Sequence, residues 1–186
     1  KFYNEDILNI NVEKIIKEET IIFGNLPYNI SSQILVKFLK FNIWPPKFDD
    51  LILMFQKELA DKIIGEYLST NYGRISIISN YRLKILKKFN VSANCFIPKP
   101  KVTSTVLHFR PIQKNRFEIK NISNLEKVTN ILFSERRKMI NKNIKKILNK
   151  KEISQINGLM LNYRPSQLNP DIYYKITEFF EKKNLV

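Results

Sequence analysis

A short apolar run at residues 21–24 passes directly into the tetrapeptide Asn-Leu-Pro-Tyr at residues 25–28. Pro27 fixes its own φ at about −65° and favours an extended Leu26, so the tetrapeptide is a stiff end to a buried strand. A helical pattern follows, and residues 51–55 form a second continuous apolar run. Two buried strands joined through a helix are typical of a parallel crossover unit. The feature therefore predicts an α/β sheet.

The chain after the tetrapeptide supplies further elements of this sheet. Asn29 or Ser31 is suited to cap the first helix, and a second helix is predicted over residues 56–64. Alternating segments at 83–91 and 103–110 predict an antiparallel edge. The apolar face of the first helix consists of Ile34, Leu35, Phe38 and Leu39. Ligands of doubly wound sheets bind at the carboxyl ends of strands, where the tetrapeptide is expected to lie.

The tetrapeptide combines the groups that hold a planar exocyclic amine. The Asn25 side-chain oxygen and the Leu26 carbonyl are placed to accept both hydrogens of an adenine N6 amino group, and Tyr28 to stack on the purine. The alternative is an ordinary proline turn between a strand and a helix. Four residues do not decide between the two.

The second part of the chain has a different character. Helical patterns dominate residues 123–183, so we expect one domain over 1–111 and a small all-α domain over 112–186. The net charge is +15, and the second domain carries +9 of it. Such an excess is typical of proteins that bind a polyanion, either nucleic acid or an acidic membrane.

Other classes of protein find little support. The longest obvious apolar run, at 51–55, is far too short to cross a bilayer. The single cysteine, Cys95, allows no internal disulfide and is expected to be a small buried side chain in a reducing compartment. His108, the one histidine, is expected to occupy a strand face and not to act as a catalytic base. No metal site or hydrolytic triad is indicated.

Five segments, at 25–32, 55–58, 72–76, 96–102 and 134–138, resemble those of the ribosomal RNA adenine dimethyltransferases, most closely the small-subunit, KsgA-like branch. They occur in the family's order and at similar spacing. The resemblance implies a partial Rossmann-like, class I S-adenosylmethionine (SAM)-dependent methyltransferase domain followed by a helical RNA-binding domain. It also implies dimethylation of N6 of two adjacent adenosines in the 3′-terminal hairpin of small-subunit, 16S-type rRNA, and a role in ribosome biogenesis.

The resemblance also implies roles for individual residues. The catalytic set is Asn25, Leu26, Pro27, Tyr28 and Phe96, with Phe96 covering the second face of the flipped base. Asp6 and Ile7, together with Asn25, are implied to bind SAM, with the Asp6 carboxylate accepting from its adenine amino group. The alternatives are a solvated Asp6 and a core Phe96. No metal is implied.

A third set of residues is expected to bind RNA. Residues 136–151 contain eight basic side chains and no acid, which favours RNA contact over a merely solvated face. Helical spacing would place four of their lysines on one face. A packing role for Arg74 at a helix start is equally compatible with the sequence. The full set is Arg74, Lys99, Lys101, Arg136, Arg137, Lys138, Lys142, Lys145 and Lys146.

The glycine-rich turn that cradles SAM in this enzyme class has no counterpart among the four glycines. We therefore expect that part of the fold precedes Lys1, and that residues 1–186 alone are inactive. The expected partners are small-subunit rRNA and the 30S-type subunit, with no membrane. The expected state is a cytoplasmic monomer, and an organellar equivalent also fits.

Three alternatives share much of this pattern. The first is a large-subunit rRNA methyltransferase of the antibiotic-resistance type. The second is a non-catalytic ribosome assembly factor, or a relative of the mitochondrial transcription factors, that keeps the RNA surface. The third is a DNA adenine methyltransferase, although those enzymes more often carry Pro-Pro where this chain has Leu26-Pro27.

Overall fold

The computed structural model of the chain describes residues 2–183. Lys1 and residues 184–186, which end the two predicted domains, lie outside the described residues. The strands are β1 Thr20–Asn25, β2 Phe48–Gln56, β3 Leu83–Val91 and β4 Ser104–Pro111. The α-helices are α1 Val12–Ile15, α2 Ser31–Leu39, α3 Lys57–Ile63, α4 Arg74–Arg82, α5 Ile122–Phe133, α6 Asn141–Ile144, α7 Lys150–Ser154 and α8 Pro170–Lys183.

The four strands form one mixed sheet in the order β1-β2-β4-β3. β1 and β2 are parallel, whereas β4 is antiparallel to both of its neighbours. Asn25 pairs with Met54, and Gln56 pairs with Ser104. The end of β1, the end of β2 and the start of β4 therefore meet at one edge of the sheet. The predicted α/β sheet with an antiparallel edge is confirmed.

Helix α2 is the crossover between the two parallel strands, and all four apolar residues predicted for its inner face are buried. The predicted N-cap is wrong, because Ile30 holds that position and makes no side-chain capping bond. The Ser31 hydroxyl donates to the Tyr28 carbonyl instead, at 3.0 Å. At the other end, Arg82 Nη1 donates to the carbonyls of Leu39 and Phe41, at 2.6 and 2.8 Å. This buried guanidinium satisfies carbonyls that a helix end leaves without partners.

The helical part of the chain has its own apolar core. The helical period predicts an apolar face made of Leu125, Val128, Ile131 and Leu132 in α5; Ile131 is half-buried and the other three are fully buried. α8 is joined to the start of α5 by Glu181, whose carboxylate accepts from the backbone N–H groups of Lys120 and Asn121 at 2.8 and 2.9 Å. Among the described residues, no helix is both long and apolar enough to cross a membrane.

The chain divides into two compact units that are interleaved in sequence. The sheet unit comprises the described residues up to Asp61 and then Arg82–Gln113. The helical unit comprises Lys62–Tyr81 and the described residues from Lys114 onward. The chain enters the helical unit for the last time between Gln113 and Lys114, two residues after the expected boundary at 111/112. Segment 62–81 joins the helical unit because its tyrosines are bonded there: the Tyr72 hydroxyl donates to the Leu168 carbonyl at 2.9 Å.

Candidate functional site

The tetrapeptide after β1 forms a defined wall. Asn25 ends the strand with an exposed side chain, and the following turn is closed by the Ile30 N–H, which donates to the Pro27 carbonyl at 3.2 Å. Pro27 restricts the backbone between these two residues. Ser31, fully buried at the start of α2, bonds the Tyr28 carbonyl. The turn is thus fixed by the strand on one side and by the helix on the other.

This wall faces a cavity of about 280 Å³ in the sheet unit. Ligand pockets for drug-sized molecules measure about 300–1,000 Å³, so the cavity suits a single small aromatic group. Two segments of the chain line it: Asn25, Leu26, Pro27 and Tyr28 from the first, and Phe96, Ile97, Pro98 and Pro100 from the second. The structure therefore brings together all five residues of the predicted catalytic set. The lining is apolar and aromatic, with amide and carbonyl oxygens available from the residues at the end of β1.

The side chain of Tyr28 is also held by a residue of β4. Its hydroxyl lies 2.6 Å from Oγ of Ser104, the first residue of β4, which is fully buried. Ser104 was not among the site residues predicted from the sequence. A serine at the start of an alternating strand carries no local sign of such a contact, because its partner is 76 positions away.

Asp6 and Ile7 do not line this cavity. The exposed Asp6 carboxylate closes a turn: Oδ1 accepts from the Leu8 N–H at 2.9 Å and Oδ2 from the Asn9 side chain at 3.1 Å. Lys37 of α2 anchors the same loop by donating to two of its carbonyls, at 2.7 and 2.5 Å. Each carboxylate oxygen keeps further acceptor capacity, so the residue fits an amino group. Its role toward SAM stays a prediction.

Lys99 and Lys101 are exposed, and they alternate with Pro98 and Pro100, which line the cavity. Both ammonium groups therefore belong to the segment that forms one wall of the site. Cys95, directly before Phe96, is exposed and not buried as predicted. It ends a 3₁₀ turn, Ala93–Cys95, in the loop between β3 and β4, and a residue there lies outside the sheet's core.

The remaining basic candidates belong to the helical unit. Arg74 begins α4 and is half-buried, and its Nε is buried without a hydrogen-bond partner in the described part of the chain. Arg136 is exposed, and its Nη2 donates to the Tyr72 carbonyl at 3.3 Å. Lys138 pairs with Glu135 at 2.6 Å, which lowers the pKa of the carboxyl and raises the pKa of the amine. The other four, Arg137, Lys142, Lys145 and Lys146, are exposed.

The expectation that Lys138, Lys142, Lys145 and Lys146 share one helical face is wrong in its geometry. Only Asn141–Ile144 is helical there, and turns lie on both sides. The Ile140 N–H donates to the carbonyl of Tyr163 at 2.9 Å, where a continuous helix would bond it within the segment. The basic side chains are still close enough to Glu135 to act on it, since Lys146 and Lys142 also help to lower its pKa.

His108 lies on β4, as predicted, beside Asp50 of β2. The guanidinium of Arg110 holds Asp50 with two hydrogen bonds, at 3.0 and 3.1 Å, and His108 Nε2 lies 3.1 Å from the same carboxylate. The Arg110 bond, more than His108, holds the pKa of Asp50 below its usual value, although burial opposes it. Within residues 2–183, no cluster of three or more His, Cys, Asp or Glu could hold a metal ion.

Solved structures match the fold. A dimethyladenosine transferase from Plasmodium falciparum gives a TM-score of 0.77 at 23% identity, over 98% of this chain and 72% of that one. The 23S rRNA methyltransferase ErmE gives 0.66 at 19% identity, over 96% and 71%. The expected Rossmann-like methyltransferase fold with added helices is confirmed.

Sequence relatives match along nearly the whole chain. Ribosomal RNA small subunit methyltransferase A of Pelagibacter ubique (strain HTCC1062) is 44% identical over 185 residues, which is 97% of this chain and 69% of that protein. The Zymomonas mobilis protein of the same name is 33% identical over 177 residues, covering 95% and 63%. The profile described as "Ribosomal RNA adenine dimethylase" matches residues 1–182. The chain belongs to the ribosomal RNA adenine dimethylase family.

Proposed function

We propose that the whole protein transfers methyl groups from SAM to N6 of two adjacent adenosines in the 3′-terminal hairpin of small-subunit rRNA, twice per base. The observation that carries the proposal is the cavity that residues 25–28 and Phe96 line together. Membership of the dimethylase family and the names of the sequence relatives support it. Those names also favour the small subunit over the large one as the source of the RNA.

Asn25 and Leu26 are proposed to act on the target amine. The N6 lone pair of adenine is delocalised into the ring, which makes the nitrogen a poor nucleophile. Hydrogen bonds from its two hydrogens to the Asn25 side-chain oxygen and the Leu26 carbonyl favour a pyramidal nitrogen, whose lone pair is free to attack. SAM, when bound, supplies the electrophilic methyl group. As the N–C bond forms, the C–S bond of the sulfonium would break to leave a neutral thioether, and the methylated nitrogen would release its proton to solvent. The chain's contribution is positioning and electrostatic stabilisation, without a general base.

Tyr28 and Phe96 are proposed to hold the base itself. Stacking of a base on an aromatic side chain contributes about 1–3 kcal/mol. Extruding a base from its helix costs a few kcal/mol, so two rings offset this cost. Pro27, between Leu26 and Tyr28, keeps the acceptor groups and the ring in fixed relation.

The basic residues are proposed to bind the phosphate backbone. Lys99 and Lys101, which alternate with the prolines that line the cavity, would contact the nucleotides that flank the target. The basic set of the helical unit, with Arg136, Arg137 and Lys138 at its start, would dock the rRNA of the small subunit. Arg74 is half-buried, so its guanidinium would add a contact to the same backbone through its exposed part. The protein is proposed to act as a monomer in the cytoplasm or its organellar equivalent, with a role in subunit biogenesis.

Asp6, Ile7 and Asn25 are proposed to bind SAM. The spare acceptor capacity of the Asp6 carboxylate fits the adenine amino group of SAM, and Ile7 adds an apolar neighbour on the same turn. Asn25, at the end of β1, would then serve both SAM and the target base. No metal is required by this chemistry.

The decisive experiment is a methylation assay with the full-length protein, labelled SAM and small subunits that lack adenosine dimethylation. The rRNA is then digested and its nucleosides are weighed. We expect N6,N6-dimethyladenosine confined to the 3′ hairpin, with kcat/KM reduced about 10²–10³-fold by Asn25→Ala because one acceptor for the amine is lost. Asn130→Ala, which changes an exposed asparagine of α5, is the matched control.

Two results would contradict the proposal in different ways. Binding of the subunit without methylation would leave a non-catalytic assembly factor. Label on large-subunit rRNA would replace the proposed substrate and keep the chemistry.

A further inference from the structure

Tyr28 is attached to the fold at both ends. Its backbone carbonyl accepts from the Ser31 hydroxyl at 3.0 Å, and its phenolic oxygen lies 2.6 Å from Ser104 Oγ. Both serines are fully buried. A tyrosine ring has two rotatable bonds, and fixing the backbone and the phenol leaves it one orientation. The face that this ring turns to the cavity is therefore set before any ligand arrives.

Ser104 is well placed to act as the fixed end of this link. It begins β4, the strand that pairs with both β2 and β3, and it pairs with Gln56 on one side and Val91 on the other. The Lys57 N–H donates to the neighbouring Thr103 carbonyl at 2.9 Å. The backbone of Ser104 is thus held by strands on both sides, and its hydroxyl points to the phenol at the edge of the cavity.

We propose that Ser104 is a positioning residue: its hydroxyl holds the Tyr28 ring in the orientation that stacks on the target base. The inference rests on the proposed function of the cavity. Ser104 itself does not touch the base. It acts through Tyr28. The ring loses its rotational freedom when the sheet folds, so this entropy is not lost again when the RNA binds.

The expected signature is a change in turnover with little change in RNA affinity. Phosphate contacts supply most of the affinity for RNA, and Ser104 makes none. Loss of one buried hydrogen bond corresponds to roughly a five- to tenfold effect. Ser104→Ala is therefore expected to lower kcat by about this factor, with KM for the subunit within about twofold of the wild-type value.

The experiment compares full-length wild type, Ser104→Ala, Tyr28→Phe and the double variant in the dimethylation assay. Because the two hydroxyls bond to one another, either single change should lower kcat by the same factor. The double variant should then be no slower than the single variants. Thr105→Val is the matched control: this buried hydroxyl, next to Ser104 on β4, donates to the Asn90 side chain of β3 at 2.8 Å. Its removal should leave kcat unchanged.

A second measurement reports base capture without turnover. An RNA hairpin with 2-aminopurine at the target adenosine becomes fluorescent when that base leaves its stack, and its signal changes again when the base stacks on a protein ring. Ser104→Ala and Tyr28→Phe should shift this signal relative to wild type at saturating protein, whereas Thr105→Val should not. Tyr28→Phe keeps the ring, so it serves if Ser104→Ala fails to fold.

The outcomes separate the two proposals. Dimethylation by wild type, with Ser104→Ala and Tyr28→Phe both at the wild-type kcat and fluorescence, would overturn the positioning role and leave the enzyme intact. Strictly additive losses in the double variant would also overturn it. Absence of dimethyladenosine with the wild type itself would overturn the function, and the inference with it.

Discussion

The two aromatic side chains of the cavity are held in different ways. Tyr28 is bonded to buried serines at both ends, whereas Phe96 follows the 3₁₀ turn at 93–95, with its N–H donating to the Ala93 carbonyl at 3.3 Å. Phe96 is only half-buried. Under the proposed function, the Phe96 ring would adjust to a base that the Tyr28 ring has already oriented. Binding residues often lie on loops that a rigid scaffold positions.

Phe96→Ala tests this division of roles. Loss of one stacking partner is expected to lower kcat/KM by about 10–100-fold, because base–aromatic stacking contributes about 1–3 kcal/mol. The free energy of unfolding should change little, since the residue lies in a loop. Phe89→Ala is the control, because that ring is 59% exposed on β3 and does not line the cavity. Equal activity of the two variants would show that Phe96 does not stack on the base.

At the scale of elements, one carboxylate joins the last long helix to the first helix after the sheet. Glu181 of α8 accepts from two backbone N–H groups just before α5, and from the Asn124 side chain at 2.9 Å. The N-terminus of a helix carries unpaired N–H groups and a partial positive charge, so a buried anion is stabilising there.

Glu181→Ala is expected to destabilise the helical unit by about 1–3 kcal/mol, because it leaves N–H donors without their acceptor. Urea unfolding followed by far-UV circular dichroism measures this change. Glu178→Ala is the matched control on the same helix: its carboxylate accepts one exposed bond, from the Glu118 N–H at 2.8 Å. A control loss as large as that of Glu181→Ala would mean that burial of the carboxylate adds nothing.

Elements with a strong local pattern could be predicted from the sequence. Continuous apolar runs and a clear helical period identified β1, β2 and α2, and the stiff tetrapeptide identified one wall of the cavity. The segment with Phe96 was predicted only through the resemblance to the dimethyltransferase family, since Phe96 has no distinguishing pattern of its own. Elements decided by distant bonds could not be predicted. The expected basic helix is interrupted because the Ile140 N–H donates to the carbonyl of Tyr163, a residue outside the segment.

At the scale of the whole molecule, basic charge occurs on both units. Its total is +15, and a large share lies in residues 136–151. The domain boundary shows what charge and pattern could not indicate. Segment 62–81 contains an ordinary helix, and bonds to residues distant in the sequence, such as those of Tyr72 and Tyr81, connect it to the helical unit.

A change of three lysines tests whether the basic segment binds RNA specifically. Replacing Lys142, Lys145 and Lys146 with Gln is expected to weaken subunit binding and to reduce the slope of log K against log salt by about 2, since each phosphate contact contributes about 0.7–0.9. Filter binding at several salt concentrations measures both. The control replaces three exposed lysines of β3 with Gln and has the same net charge: Lys84, Lys87 and Lys88. Equal losses would mean that the total charge, and not its position, determines the affinity.

The link between Tyr28 and Ser104 spans 76 positions of the chain. Contacts between residues so far apart form late, because the loop between them must be ordered first. During synthesis, the first wall of the cavity emerges long before the second, and the ring has no partner until β4 has been made and paired. A chain stopped before residue 104 would carry every residue that lines the cavity and still lack the hydroxyl that holds the Tyr28 ring. The Tyr28–Ser104 contact thus reports completion of the sheet, and under the proposed function base binding would be an indicator of correct folding.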